Sequence, residues 1–226
     1  MQKPLDGVEV ETGANPRWSV IWLHGLGADG HDFEPIVPEL VEDDWPPLRF
    51  VFPHAPVRAV TINNGMRMRA WYDILGLEIA QRQDETGVRE SIGFLRALIE
   101  HENARGIPSE RVIIAGFSQG GAIALAGAVR HPQRLGGVVA LSTYLPVAES
   151  TEKERSEANR ALPVFMAHGN LDPVVGHALG LMSKGYLENL GYRVDWHSYP
   201  MPHSVSAEEI SDLARWLGAR FAADAR

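Results

Sequence analysis

The chain contains no cysteine. This excludes a disulfide framework, a thiolate nucleophile and a Cys-ligated metal, and with them palmitoyl and prenyl anchors. It fits a reducing compartment. The opening residues Met1-Gln2-Lys3-Pro4-Leu5-Asp6 lack the apolar core of a signal peptide, and Gln2 stands where a myristoyl anchor needs glycine. No apolar run approaches the roughly 18 residues of a membrane span. Positive charge is also in deficit: 21 Lys and Arg face 29 Asp and Glu, for a formal net charge of −8. With no basic cluster to offset this, nucleic acid and a stable membrane anchor are not expected partners. There is no internal repeat, low-complexity tract or linker. These absences predict a soluble, cytoplasmic protein folded as one domain over residues 1–226.

What is present is a series of short apolar runs bounded by Gly or Pro, with helical stretches between them. The runs cover 18–23, 48–52, 111–116, 137–142, 163–168 and 193–199. The middle ones are continuously apolar, as strands buried on both faces of a parallel sheet should be, and the last alternates more and belongs nearer an edge. Residues 88–101 carry Ile92, Leu95, Leu98 and Ile99 at helical spacing. Residues 120–130 form an Ala-rich helix stopped by His131-Pro132, and Ser206 with Glu209 reads as a capping box before a final helix. Alternating strands and helices imply a three-layer α/β fold. The stretch 53–77 breaks the alternation; it reads as a long irregular loop, too apolar for disorder and so expected to be functional.

Gly116-Phe117-Ser118-Gln119-Gly120 matches G-x-S-x-G between a buried strand and an Ala-rich helix. A nucleophile elbow needs this context, because the serine sits on a sharp, strained strand-to-helix turn. The glycines are required where a Cβ would collide with neighbouring backbone. The Gln119 N–H and the helix dipole would then face an oxyanion formed at Ser118. The competing reading is a Gly-rich turn whose serine merely caps the helix.

Elbow-type hydrolases place the acid and then the histidine after the serine. Asp172 follows the 163–168 strand in a turn, at the strand end where ligand-facing groups gather. It also suits a plain turn before Pro173. His203 lies between the last strand and the C-terminal helix. His24 and His168 precede glycines at strand ends and read as turn-shaping, His131 sits at a helix stop, and His197 falls within a strand; the remaining histidines fit no position in this order. A serine hydroxyl needs a base to take its proton, and a carboxylate fixes the histidine tautomer. This chemistry calls for neither metal nor cofactor.

Gly25-Leu26-Gly27-Ala28-Asp29-Gly30 spells the dinucleotide fingerprint G-x-G-x-x-G. That reading also needs an acidic residue ending the next strand, where this chain has Pro53-His54-Ala55-Pro56, and a helix that Pro35 and Pro38 interrupt. The loop is better placed to supply the second oxyanion donor, the Leu26 N–H.

Taken together, these motifs resemble those of small bacterial carboxylesterases of the phospholipase/carboxylesterase family, relatives of acyl-protein thioesterases. The likeness rests on 24–30, 53–56, Trp71-Tyr72-Asp73, 116–121, 141–146, His168-Gly169 with Asp172, and Tyr199-Pro200-Met201 with His203. It implies an α/β-hydrolase fold without a large cap domain, with Ser118, Asp172 and His203 as triad and Leu26 and Gln119 as oxyanion donors. It also implies that 53–77 borders the acyl pocket. One departure is Pro202, where the family usually has glycine; its fixed φ and missing N–H would stiffen or reset the His203 loop.

The expected activity is hydrolysis of short- to medium-chain carboxylic esters through an acyl-serine, with Met66, Met68, Trp71, Leu75 and Val174 as candidate pocket residues. Acyl-protein thioesterase or lysophospholipase activity uses the same chemistry. A ligand-binding protein on a hydrolase fold is the non-enzymatic alternative. Apolar residues in the 53–77 loop suit a homodimer contact as well as a pocket rim.

Overall fold

The apolar runs pair into a seven-stranded sheet in the order β1-β3-β2-β6-β7-β8-β9, described by a computed structural model for residues 4–76 and 83–223. The strands are β1 (Gly7–Glu11), β2 (Trp18–Leu23), β3 (Leu48–Pro53), β6 (Val112–Phe117), β7 (Gly137–Leu141), β8 (Val164–Gly169) and β9 (Val194–Tyr199). All neighbours run parallel except the edge strand β1, which pairs antiparallel with β3. The alternating run 193–199 is the opposite edge.

Every residue of β2, β3, β7 and β8 is buried, because both faces are covered. Ile21 and Leu23 point into one apolar layer with α2 (Glu85–Ala104) and α3 (Gln119–Arg130). Val20 and Trp22 point into the other, with Leu40 of α1 (Val37–Leu40) and with Leu213, Trp216 and Leu217 of α6 (Ala207–Ala223). The two remaining helices are α4 (Ala148–Glu154) and α5 (His177–Asn189). No helix among the described residues is long and apolar enough to cross a membrane.

Three sequence expectations change. The 53–77 stretch is not irregular throughout: β4 (Val57–Val60) and β5 (Met66–Arg69) form an antiparallel hairpin, turned by Asn64 and Gly65 at positive φ. Its last residue, Leu77, lies outside the described residues. Helix α2 begins before residue 88, because Asp84 caps it: Asp84 Oδ1 accepts from the Gly87 N–H at 2.9 Å. The capping box at α6 is only half made. Ser206 Oγ accepts from the Glu209 N–H at 3.2 Å, but the Glu209 side chain turns into the core, where neither carboxyl oxygen has a partner among the described residues.

The chain's path also creates the site. From β2 it moves outward to β3, then crosses back to β6 on the other side of β2. At such a reversal the connections leave the strand ends in opposite directions and open a crevice at their C-terminal side. The ends of β2 and β6 carry His24-Gly25 and Ser118.

Burial of Glu209 pushes its carboxyl from 4.5 up to about 8. Between those values the folded state holds a proton that the unfolded chain has released, so stability falls as pH rises from about 4.5 towards 8. Glu209→Gln should remove this penalty. Its melting temperature should exceed wild type by several degrees at pH 8 and converge on it near pH 5; a pH-independent difference would mean the carboxyl titrates normally.

Candidate active site

Ser118 stands between β6 and α3 with φ 55° and ψ −120°, a conformation that L side chains adopt only under constraint. The sequence permits it because Gly116 and Gly120, two positions away on either side, lack side chains. A Cβ on Gly116 would strike the Gly120 backbone, and one on Gly120 would strike the Leu23 carbonyl. The turn can therefore close tightly on the end of β2. Three hydrogen bonds fix it: the Ser118 N–H donates to Leu141 O at 2.9 Å, Thr143 Oγ1 donates to Ser118 O at 2.6 Å, and the Ala122 N–H donates to the same carbonyl at 3.1 Å.

His203 reaches Ser118 from the loop after β9. Its Nε2 lies 2.9 Å from Ser118 Oγ, and its Nδ1 lies 2.6 Å from Asp172 Oδ2. An ionised carboxylate can only accept, so Nδ1 carries the proton and Nε2 is left to accept from the serine hydroxyl. The Phe117 ring packs on the imidazole, with centroids 4.7 Å apart. Residue 202 is exposed and contributes its carbonyl, which accepts from the Ser204 N–H at 2.9 Å.

Asp172 is held as an acceptor on all sides. Its side chain is fully covered, and Oδ1 accepts from the Val174 and Val175 N–H groups at 2.8 and 2.9 Å. His168 supports this turn from beneath, with Nε2–H donating to Val175 O at 2.8 Å and lying 3.4 Å from Asp172 Oδ2. Burial lowers the His168 pKa, which keeps the ring neutral beside the carboxylate.

His24 is likewise structural. Its Nε2 accepts from the Ala55 N–H at 3.0 Å, so its Nδ1 must be the donor to Gly25 O at 2.7 Å. Burial lowers its pKa to about 4. Beyond it, the 25–27 loop passes over the elbow: a Cβ at Gly25 would lie 3.6 Å from Ser118 Cβ. Gly27, at φ 79°, turns the chain away and donates its N–H to Arg69 O at 2.9 Å. The N–H groups of Leu26 and Gln119 donate to no other described residue.

The candidate pocket residues scatter. Met68 lies beside the 25–27 loop, its sulfur 3.7 Å from where a Gly27 Cβ would be. Val174 is exposed just past Asp172, and Leu75 is half-buried. Met66 is 64% exposed on the hairpin. Trp71 is 1% exposed and lies behind the loop, where its Nε1–H donates to His24 O at 2.9 Å. Thr143, Phe117 and the Gln119 side chain are not identifiable as site residues from sequence, since each acts through partners far away along the chain, and His168, whose partners lie four and seven residues on, reads there only as turn-shaping.

Comparison with known proteins agrees with this architecture. The phospholipase/carboxylesterase family profile matches residues 6–220. Acyl-protein thioesterase 1 of Yarrowia lipolytica is 38% identical over 219 residues, covering 95% of this chain and 96% of its own. A probable carboxylesterase of Oryza sativa subsp. japonica is 36% identical over 207 residues, covering 90% of this chain and 78% of its own. The crystal structure of Arabidopsis thaliana SOBER1 superposes with a TM-score of 0.86 at 33% identity, covering 90% of this chain and 99% of that one. Zea mays acyl-protein thioesterase 2 gives 0.83 at 26% identity, covering 96% and 100%. With the family profile spanning nearly the whole chain and its α/β-hydrolase fold matched in solved relatives, this protein belongs to the phospholipase/carboxylesterase family of hydrolases.

Proposed function

We propose that the chain is a serine hydrolase of acyl thioesters, with Ser118 as nucleophile, His203 as general base and Asp172 as its orienting acid. The observation that carries this reading is the continuous hydrogen-bonded line from Ser118 Oγ through His203 to Asp172. The preference for thioesters over the short- and medium-chain carboxylic esters expected first from sequence is supported by the thioesterase names of relatives 38% identical to this chain.

The chemistry proceeds in two halves. His203 Nε2 takes the hydroxyl proton as Ser118 Oγ attacks the acyl carbonyl carbon. The resulting oxyanion faces the N–H groups of Leu26 and Gln119 at the N-terminal end of α3. Collapse breaks the C–S bond, and the imidazolium returns its proton to the departing sulfur. A water then repeats the sequence against acyl-Ser118, giving the carboxylic acid and regenerating the hydroxyl. An ester follows the same course with oxygen as leaving atom.

His203→Ala should lower kcat by several orders of magnitude, to about the level of Ser118→Ala, because the members act as a unit. Steady-state assays decide this; activity within tenfold of wild type would identify a different base. Substrate class is tested with an S-acylated peptide, its matched O-acyl serine peptide, and p-nitrophenyl esters of increasing chain length. The thioester should show the highest kcat/KM among non-activated substrates. A tenfold or greater preference for the oxygen ester would favour the carboxylesterase reading instead.

A further inference from the structure

The hydrogen-bond ladder between β2 and β6 ends at the pair Leu23 and Gly116. The two backbone segments that carry the oxyanion donors, 24–27 and 118–120, both lie beyond that last rung. What joins them is a third segment, 69–72. The Gly27 N–H donates to Arg69 O at 2.9 Å, and Trp71 Nε1–H donates to His24 O at 2.9 Å, so this segment grips the Leu26 loop on both sides. It grips the elbow through the side chain of Gln119. Oε1 accepts from the Trp71 N–H at 2.8 Å, and Nε2 donates to Tyr72 O at 2.7 Å. Both residues are buried, Gln119 at 4% and Trp71 at 1% exposure, and Ser91 Oγ closes the remaining valence by donating to Trp71 O.

We propose that Trp71 and the Gln119 side chain are positioning residues that set the spacing between the Leu26 and Gln119 N–H groups. The proposal rests on the acyl-transfer reading above and adds a role for two buried side chains whose hydrogen bonds go to the backbone of other residues than Ser118. Oxyanion donors act only when they sit within hydrogen-bond distance of the developing charge, and a shift of about 1 Å costs roughly 10²-fold. The brace demands one group that accepts and donates at fixed positions, as a primary amide does. A carboxylate in its place would still accept from Trp71 but would set a lone pair against Tyr72 O. A protonated carboxyl would restore the donor.

Three variants test this: Trp71→Phe, which keeps an aromatic ring and removes the Nε1–H donor, Gln119→Met, and Gln119→Glu. Each is measured for kcat, for KM, and for the Ki of a trifluoromethyl ketone, which forms a tetrahedral oxyanion on the serine. Trp71→Phe and Gln119→Met should lose about 10- to 100-fold in kcat, with KM within about twofold and Ki rising in step with kcat/KM. For Gln119→Glu, the kcat ratio to wild type should climb as pH falls from 8 to 5.5. Taking the ratio to wild type at each pH removes effects common to both proteins, while burial keeps His24 neutral and holds the Tyr72 phenol protonated across that range.

Folded variants with kcat within about threefold of wild type would overturn the proposal. So would a kcat loss that leaves the ketone Ki unchanged, or a Gln119→Glu ratio flat with pH. Should Gln119→Met fail to fold, the pH ratio is read within Gln119→Glu and Trp71→Phe stands alongside it. If wild type neither turns over esters nor binds the ketone, the acyl-transfer reading itself fails, a result distinct from the others.

Discussion

The turn at Ser118 is the constraint on which the rest of the site depends. A non-glycine residue at φ 55° costs on the order of 1–3 kcal/mol, and it persists only where the surroundings over-determine it. Here they do so from every side: glycines admit the backbone on two flanks, Leu141 and Thr143 at the end of β7 hold its N–H and carbonyl, and α3 begins directly beneath. The consequence is a hydroxyl raised above the sheet edge with a row of unused helix N–H groups behind it. Without the strain the serine would be a helix cap; with it, the side chain faces the crevice opened by the reversal between β2 and β6.

The placement of Asp172 and His203 is then a matter of strand spacing. β7 adjoins β6, β8 follows, and β9 lies at the edge, so the loops after β8 and β9 fold inward over the elbow. Asp172 is anchored by two backbone N–H groups and covered completely, which leaves a single oxygen directed at His203. His203 is the more exposed partner and is steadied by the Phe117 ring. The histidine is thus held at both nitrogens and on one face. A neutral, buried His168 completes the support without adding a charge next to the carboxylate.

How much of this could be read from sequence follows from which signals are local. Largely apolar runs mark β2, β3, β6, β7 and β8 to within about a residue, because burial on both faces leaves an unmistakable pattern, and the alternating run 193–199 marks β9 at the edge. β1 escapes notice, since Gly7-Val8-Glu9-Val10-Glu11 is short and half-exposed and is made a strand only by its pairing with β3. The β4–β5 hairpin escapes for a similar reason: Met66-Arg67-Met68-Arg69 has no strand signature apart from its partner. Ser118, Asp172 and His203 were nameable because motif and order constrain them, and the structure brings all three within hydrogen-bond distance. At Pro202 the loop uses the residue's carbonyl, which accepts from the Ser204 N–H. Trp71 shows the limit. Its apolar character marks it as a candidate pocket residue, and its hydrogen bonds to residues 47 and 48 positions away, which set its place behind the 25–27 loop, leave no local signal.

The strained turn suits Ser118 to act as a nucleophile rather than as a helix cap on a binding protein. Labelling with a fluorophosphonate, read by intact mass and peptide mapping, tests it most directly. Folded wild-type protein should gain one adduct, located on Ser118, and Ser118→Ala should gain none. Failure of the folded wild type to label, or equal labelling of Ser118→Ala, would contradict it.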